Sequence, residues 1–272
     1  MKPLTYRGST SDFFRIGPGV IVKSPMKVWV KNPNHKKLEE EMERAISFER
    51  RVLEKLGSHP RIVPYLGVHA PSKGILLTEA KYGNLQAYID SKNAVIDDSL
   101  RRKWAVQAAE AIVYVHGQGV IHSDLRPENY LVHATDGLPV GPSPSLDLWL
   151  CDFGGSRCDE LGLNVNHLPD EPFFDPRMPW TSTPATDIFS LGSIFYTILT
   201  GHWPYMEGPS PVTMEAKNAY ETQVNWFFAA GIFPDVSNLS GGNAIRGCWQ
   251  HQHKTAEDVL RAIKSEMTAL DK

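Results

Sequence analysis

The chain has 272 residues, enough for one large domain or two small ones. Hydrophobic residues make up 42% and charged residues 22%, and a net charge of −3 gives no electrostatic reason for a nucleic-acid or anionic-membrane partner. Cys151, Cys158 and Cys248 fit neither a zinc spacing nor a disulfide framework, so the chain is expected to be reduced, intracellular and cytoplasmic. No apolar signal sequence opens it, since Met1-Lys2-Pro3 is followed by mixed polar residues.

Phe13–Ile16 and Val20–Lys23 read as strands around the turn Gly17-Pro18-Gly19. A charged helix is predicted over Lys36–Leu56, with Leu38, Met42, Ile46, Glu49 and Leu53 near the helical period and Gly57 as its stop. Ile62-Val63 and Gly74–Thr78 read as short strands. After Gly83 the character turns helical. Asn84 caps a helix through Ile89, and Asp98 or Ser99 caps a longer one through His116. Strands Tyr130–Val132 and Leu148–Leu150 flank a Pro/Gly-rich loop from Asp136 to Ser145. Helices are predicted at 185–200, 213–230, 241–250 and 255–270. The apolar run Ile188–Leu199 falls short of the ~20 residues needed to cross a bilayer and reads as a buried core helix. This order predicts an α+β fold of two lobes. A small strand-rich lobe spans about 1–80, a hinge about 79–83 and a larger helical lobe about 84–272, with a ligand cleft between the lobes.

Two segments carry the chemistry. In His122-Ser123-Asp124-Leu125-Arg126-Pro127-Glu128-Asn129, the Asp124 carboxylate can orient a hydroxyl and take its proton, and the Asn129 amide oxygen can ligate a metal that bridges phosphates. In Leu150-Cys151-Asp152-Phe153-Gly154, a strand ends in a hard oxygen ligand where the backbone can turn, which suits magnesium.

With these motifs in this order, the chain resembles the eukaryotic protein-kinase superfamily along nearly all its length. The resemblance implies ATP and Mg2+ as ligands and a protein substrate. It implies Asp124 and Arg126 as catalytic residues and Asn129 and Asp152 as metal ligands. Lys23 resembles the strand lysine that pairs the phosphates, and Glu49 its helical partner. Thr78 resembles the residue at the back of the nucleotide pocket, with the backbone of Glu79 and Lys81 at the adenine edge. Leu53, His122 and Phe153 match an apolar spine, and His122 is read as structural. Asp187 is expected to cap the helix starting near Thr186 and to hold the catalytic loop from below.

Three departures qualify the resemblance. Of the phosphate-covering glycine positions, which fall on Tyr6, Gly8 and Ser11, only Gly8 is glycine. Ser123 replaces an arginine that would pair with a loop phosphate, so activity is expected not to depend on loop phosphorylation. No Ala-Pro-Glu closes the activation segment; Pro176–Trp180 is the nearest stretch, its glutamate is missing, and Lys254 lies near the position of the partner arginine. Arg126 stands where lysine is common, yet Pro127-Glu128 leans toward serine/threonine specificity. The expected function is an ATP-dependent, serine/threonine-directed protein kinase. The rival is a pseudokinase that binds nucleotide or scaffolds partners. Cys151, next to Asp152, is expected to line the cleft within reach of an electrophile or to be an inert strand cysteine.

Overall fold

A computed structural model describes residues 2–7, 10–134 and 145–268. Gly8 and most of the Pro/Gly-rich loop lie outside the described residues, as does the predicted helix end past Thr268.

The first part is an antiparallel sheet in the order β1-β2-β3-β5-β4. It comprises β1 (Lys2–Arg7), β2 (Ser11–Gly17), β3 (Val20–Pro25), β4 (Tyr65–His69) and β5 (Gly74–Thr78). Gly19 takes φ +72° in the β2–β3 turn, a conformation that glycine adopts without strain. Helix α1 (His35–Leu56) packs on β3 and β5, buries Ile46, Val52, Leu53 and Leu56, and ends at Gly57, φ +63°. The strand expected at Ile62-Val63 is instead a crossing point. Ile62 bridges Leu150 in parallel, and β4 starts only after Pro64, which has no N–H to give a ladder.

The second part is helical. Its outer helices are α2 (Leu85–Lys92), α3 (Asp98–Gly117), α5 (Met214–Ala229), α6 (Gly242–Trp249) and α7 (Ala256–Thr268), around α4 (Pro184–Thr200). Asn84 caps α2 by accepting the N–H of Ala87. The cap of α3 is Asp97, one residue before the expected Asp98, because its side chain is the one that accepts from Leu100. Helix α4 is apolar nearly all round, so it is buried on every side, with Ile188, Leu191, Ile194 and Phe195 at most 1% exposed. Thr183 and Thr186 form its capping box and Pro184 opens its first turn, so Asp187 is left free for another task. Gly192 lets α6 approach α4: a Cβ there would meet Cys248 Cβ at 2.9 Å. Two small ladders pair β6 (Tyr130–Ala134) with β7 (Leu146–Leu150) and β8 (Arg157–Cys158) with β9 (Leu163–Asn164). Among the described residues no helix is long and apolar enough to cross a membrane.

Candidate active site

Between the two parts lies a cleft of about 390 Å³ lined by Phe13, Ile21, Leu77 and Leu131 on its apolar walls and by Lys23, Glu49 and Asp152 at its polar end. Strand β3 presents Lys23, which is 4% exposed. Its ammonium lies 2.6 Å from Glu49 and 2.7 Å from Asp152. Burial opposes the charge on Lys23, but Asp152 and Glu49 outweigh it and raise its pKa. Burial likewise works to raise Asp152, and Lys23 overcomes it, so this carboxyl is held low. Glu49 is pushed up by burial and pulled back by Lys23; a contact of 2.6 Å between the two favours the ionised pair. Asp152 itself adopts φ +62°, ψ +67°, a strained conformation for a non-glycine residue that aims its carboxylate into the cleft.

The loop from Val120 to Asn129 is held from beneath. Asp187 accepts the backbone N–H of His122 at 2.8 Å and of Ser123 at 2.9 Å, and pairs with His116 at 2.9 Å. Ser123 can therefore take φ +75° without losing its hydrogen bond. His122 donates from Nε2 to the carbonyl of Cys151 and stacks edgewise on Phe153 at 5.0 Å, which is the structural part expected of it. Phe153 and Leu53 are both essentially unexposed.

Above this floor Asn129 donates from Nδ2 to the Asp124 carbonyl at 2.7 Å and reaches Asp124 Oδ2 at 3.3 Å. The amide thus holds Asp124 with its nitrogen and keeps its oxygen for another partner. Asp124 Oδ1 is buried without a hydrogen-bond partner among the described residues. A carboxylate oxygen so placed calls for a donor such as a hydroxyl. Arg126 touches Glu128 at 3.3 Å; burial opposes its charge, and Glu128, Asp124 and Asp170 more than compensate. No group of three or more His, Cys, Asp or Glu among the described residues could hold a metal alone. Two oxygen donors fit magnesium nevertheless, since that ion keeps water and phosphate oxygens as its other ligands.

The cleft corrects the strand end by one residue. In the β3–β5 register Ile21 faces Leu77 and Lys23 faces Ile75, so alternation turns Leu77 into the cleft and Thr78 away from it. Leu77, not Thr78, backs the pocket. Glu79 and Lys81 line the rim, but the Glu79 N–H is bonded to the Gly19 carbonyl and its carboxylate grips Arg15. Lys81 lays its ammonium over the Tyr82 ring. Cys151 also lines the cleft; its thiol is pushed far up by burial, with Asp152 adding to it, which disfavours the reactive thiolate.

The activation segment contains residues that motif reading passed over. Asp175, 1% exposed, accepts from Arg177 Nε at 2.8 Å and pairs with His251 at 2.7 Å. The tie joins the segment to the region after α6 although the expected glutamate is missing, and Lys254 takes no part in it: its ammonium faces the His251 carbonyl. The local signal was Asp175-Pro176-Arg177, an acid and a base two residues apart. Asn166 accepts the Ser182 N–H at 2.7 Å and donates to the Trp180 carbonyl at 3.0 Å. His167 lies 3.9 Å from Asp124, and Lys217 of α5 joins Asp170 at 2.7 Å.

A two-part fold with a lysine–glutamate pair over a loop bearing aspartate and asparagine defines a protein-kinase domain. Residues 18–240 match the protein kinase domain family, and the chain belongs to it. Ribosomal protein S6 kinase alpha-1 of Rattus norvegicus is 29% identical over 228 residues, which are 79% of this chain and 27% of that relative. Its alpha-3 counterpart from Homo sapiens is 29% identical over 226 residues, 78% of this chain and 26% of its own length. Serine/threonine-protein kinase RAD53 of Saccharomyces cerevisiae is 29% identical over 182 residues, 59% of this chain and 20% of its own length. The chain therefore spans about a quarter of the length of the S6 kinases that it matches, at 27% of the first.

Proposed function

We propose that this domain transfers the γ-phosphoryl group of Mg-ATP to a serine or threonine hydroxyl of a protein. The observation that carries the reading is the unpartnered, buried Asp124 Oδ1 beside the Lys23–Glu49–Asp152 triad. One group supplies a proton acceptor, and the other a cation aimed at phosphates. In this reading the Asp124 carboxylate orients the acceptor hydroxyl and takes its proton. Lys23, held extended by Glu49, positions the phosphates, and Arg126 spreads its planar guanidinium against charge on the transferred group. Asp152 and the Asn129 amide oxygen would hold magnesium, which when bound would supply positive charge to offset that of the phosphates. Catalysis then rests on positioning and fixed charge. The base edge is assigned to the Ala80 backbone at the cleft rim, in keeping with Leu77 as the back wall. The Asn166 clasp and the Asp175–His251 tie support an activation segment ordered without a phosphate.

Thermal shift with Mg-ATP, followed by transfer to a generic basic protein, tests this. Lys23→Met is expected to abolish the shift, and Asp124→Asn to keep the shift but lose transfer. Prior phosphatase treatment is expected to leave transfer unchanged. Neither shift nor transfer in the wild-type chain would favour the scaffolding pseudokinase, and transfer surviving Asp124→Asn would refute the base.

A further inference from the structure

Helix α1 is gripped on more than one side. Glu49 faces the cleft, 2.6 Å from Lys23. Arg51 follows roughly 200° further around the helix, at about 100° per residue. Its Nη2 donates to the carbonyl oxygen of Leu161 at 2.7 Å. One helical turn on, Lys55 donates to Glu160 at 2.5 Å. Both acceptors lie in the turn that joins β8 to β9, just past the Asp152-Phe153-Gly154 segment.

That turn is anchored to the active site. Cys158 and Leu163 on its two strands are 1% and 2% exposed. Arg157 exchanges both backbone hydrogen bonds with Ile121, each 2.9 Å, one residue before His122. Gly154 sits near the Ala45 carbonyl of α1, close enough that a Cβ there would lie 3.7 Å from it. The helix, the turn and the catalytic loop therefore form one connected body.

We infer that Arg51 is a positioning residue for the Lys23–Glu49 pair: its hydrogen bond to Leu161, seconded by Lys55 and Glu160, locks α1 onto the β8–β9 turn. A helix moves nearly as a rigid rod. Any rotation or outward shift that draws Glu49 from Lys23 must also pull Arg51 from Leu161. The Lys55 pair adds less, because Glu160 is 74% exposed and well screened. The Leu161 carbonyl neither titrates nor needs modification, so the lock is permanent as long as the turn is folded. Linkage makes the coupling reciprocal: a ligand that engages Lys23 must steady the turn as much as the turn favours that ligand. The nucleotide half of this inference rests on the proposed function; the lock itself does not.

Hydrogen exchange read by mass spectrometry on the whole chain tests it, with Mg-ATP as the ligand. Without nucleotide, Arg51→Ala is expected to speed exchange about fivefold both in 46–56 and in 157–164, the factor that one ordinary hydrogen bond supplies. Arg50→Ala removes only an exposed pair with Glu54 at 3.8 Å and is expected to match wild type. Arg51→Lys keeps a donor and is expected to restore part of the protection. Mg-ATP is expected to slow exchange at 157–164 in the wild type and not in Arg51→Ala. Faster exchange confined to 157–164, with α1 and the nucleotide effect intact, overturns the inference. If Mg-ATP changes nothing in the wild type, the proposed function fails, and the nucleotide-free comparison alone decides the lock. If Arg51→Ala does not fold, Arg51→Lys decides: the same paired pattern at smaller amplitude supports the lock, and wild-type exchange in α1 with faster exchange only at 157–164 overturns it.

Discussion

Asp175 Oδ2 lies 2.7 Å from Nε2 of His251, joining the end of the activation segment to the loop after α6. Arg177 closes the same carboxylate from its own side and donates onward to the Trp249 carbonyl at 2.8 Å. Burial alone would raise this carboxyl, but the donors from His251 and Arg177 outweigh it and hold its pKa at about 2, below the ordinary 3.8. A carboxyl depressed in the folded state contributes stability that is complete above its unfolded pKa and is lost as pH falls through the folded one. Asp175→Asn is therefore expected to cost about 2 kcal/mol at neutral pH and to flatten the acid limb between pH ~4 and ~2. Urea unfolding over that range checks it; an unchanged acid limb would contradict the ionised tie.

Asp187 presents a second buried carboxylate, here committed to backbone donors. Asp187→Ala leaves the N–H groups of His122 and Ser123 buried without an acceptor. The expected loss is about 3 kcal/mol, since each orphaned donor costs roughly 1–3 kcal/mol. Phosphotransfer is expected to fall further than stability, because the Asp124 loop rests on these bonds. A urea midpoint within experimental scatter of wild type would rule out this role.

Leu77 and Thr78 make opposite predictions for the cleft that the proposed function fills with nucleotide. Leu77→Ala is expected to deepen it, at a stability cost of about 2 kcal/mol. A nucleotide analogue with a bulky substituent on the base should then give a larger thermal shift than in wild type. Thr78→Ala, on the outer face of β5, is expected to leave that shift unchanged. The reverse order would return Thr78 to the back wall.

Cys151 is expected to resist alkylation at pH 7. Its thiol sits in the cleft but is held protonated by burial and by Asp152. Intact-mass measurement during iodoacetamide treatment checks this; rapid, nucleotide-protectable labelling of Cys151 would show that the thiolate forms after all.

Much of this protein is written in local sequence. Hydrophobic period marks α1, and turn chemistry marks Gly17–Gly19. A continuous apolar run marks α4 as buried, and the spacing of Asp124, Asn129 and Asp152 marks the residues on which the proposed chemistry rests. Each of these signals depends on neighbours within a turn or two of chain. Local signals failed where partners are distant. Leu77 and Thr78 are adjacent and differ only by which face β3 covers, a matter of strand register. Asp187 holds the His122–Ser123 backbone as its motif implies, but the cap also expected of it belongs to Thr183, whose box with Thr186 is a matter of local backbone geometry. Asp175 and His251 are far apart in the chain, and neither implies the other. The sequence by itself determined the family of fold and singled out the residue types of the proposed reacting centre, because periodicity and motif spacing are short-range. Only the tertiary structure decided which wall residue backs the cleft, what anchors the activation segment and what holds α1 in place, because those depend on hydrogen bonds that close long loops of chain.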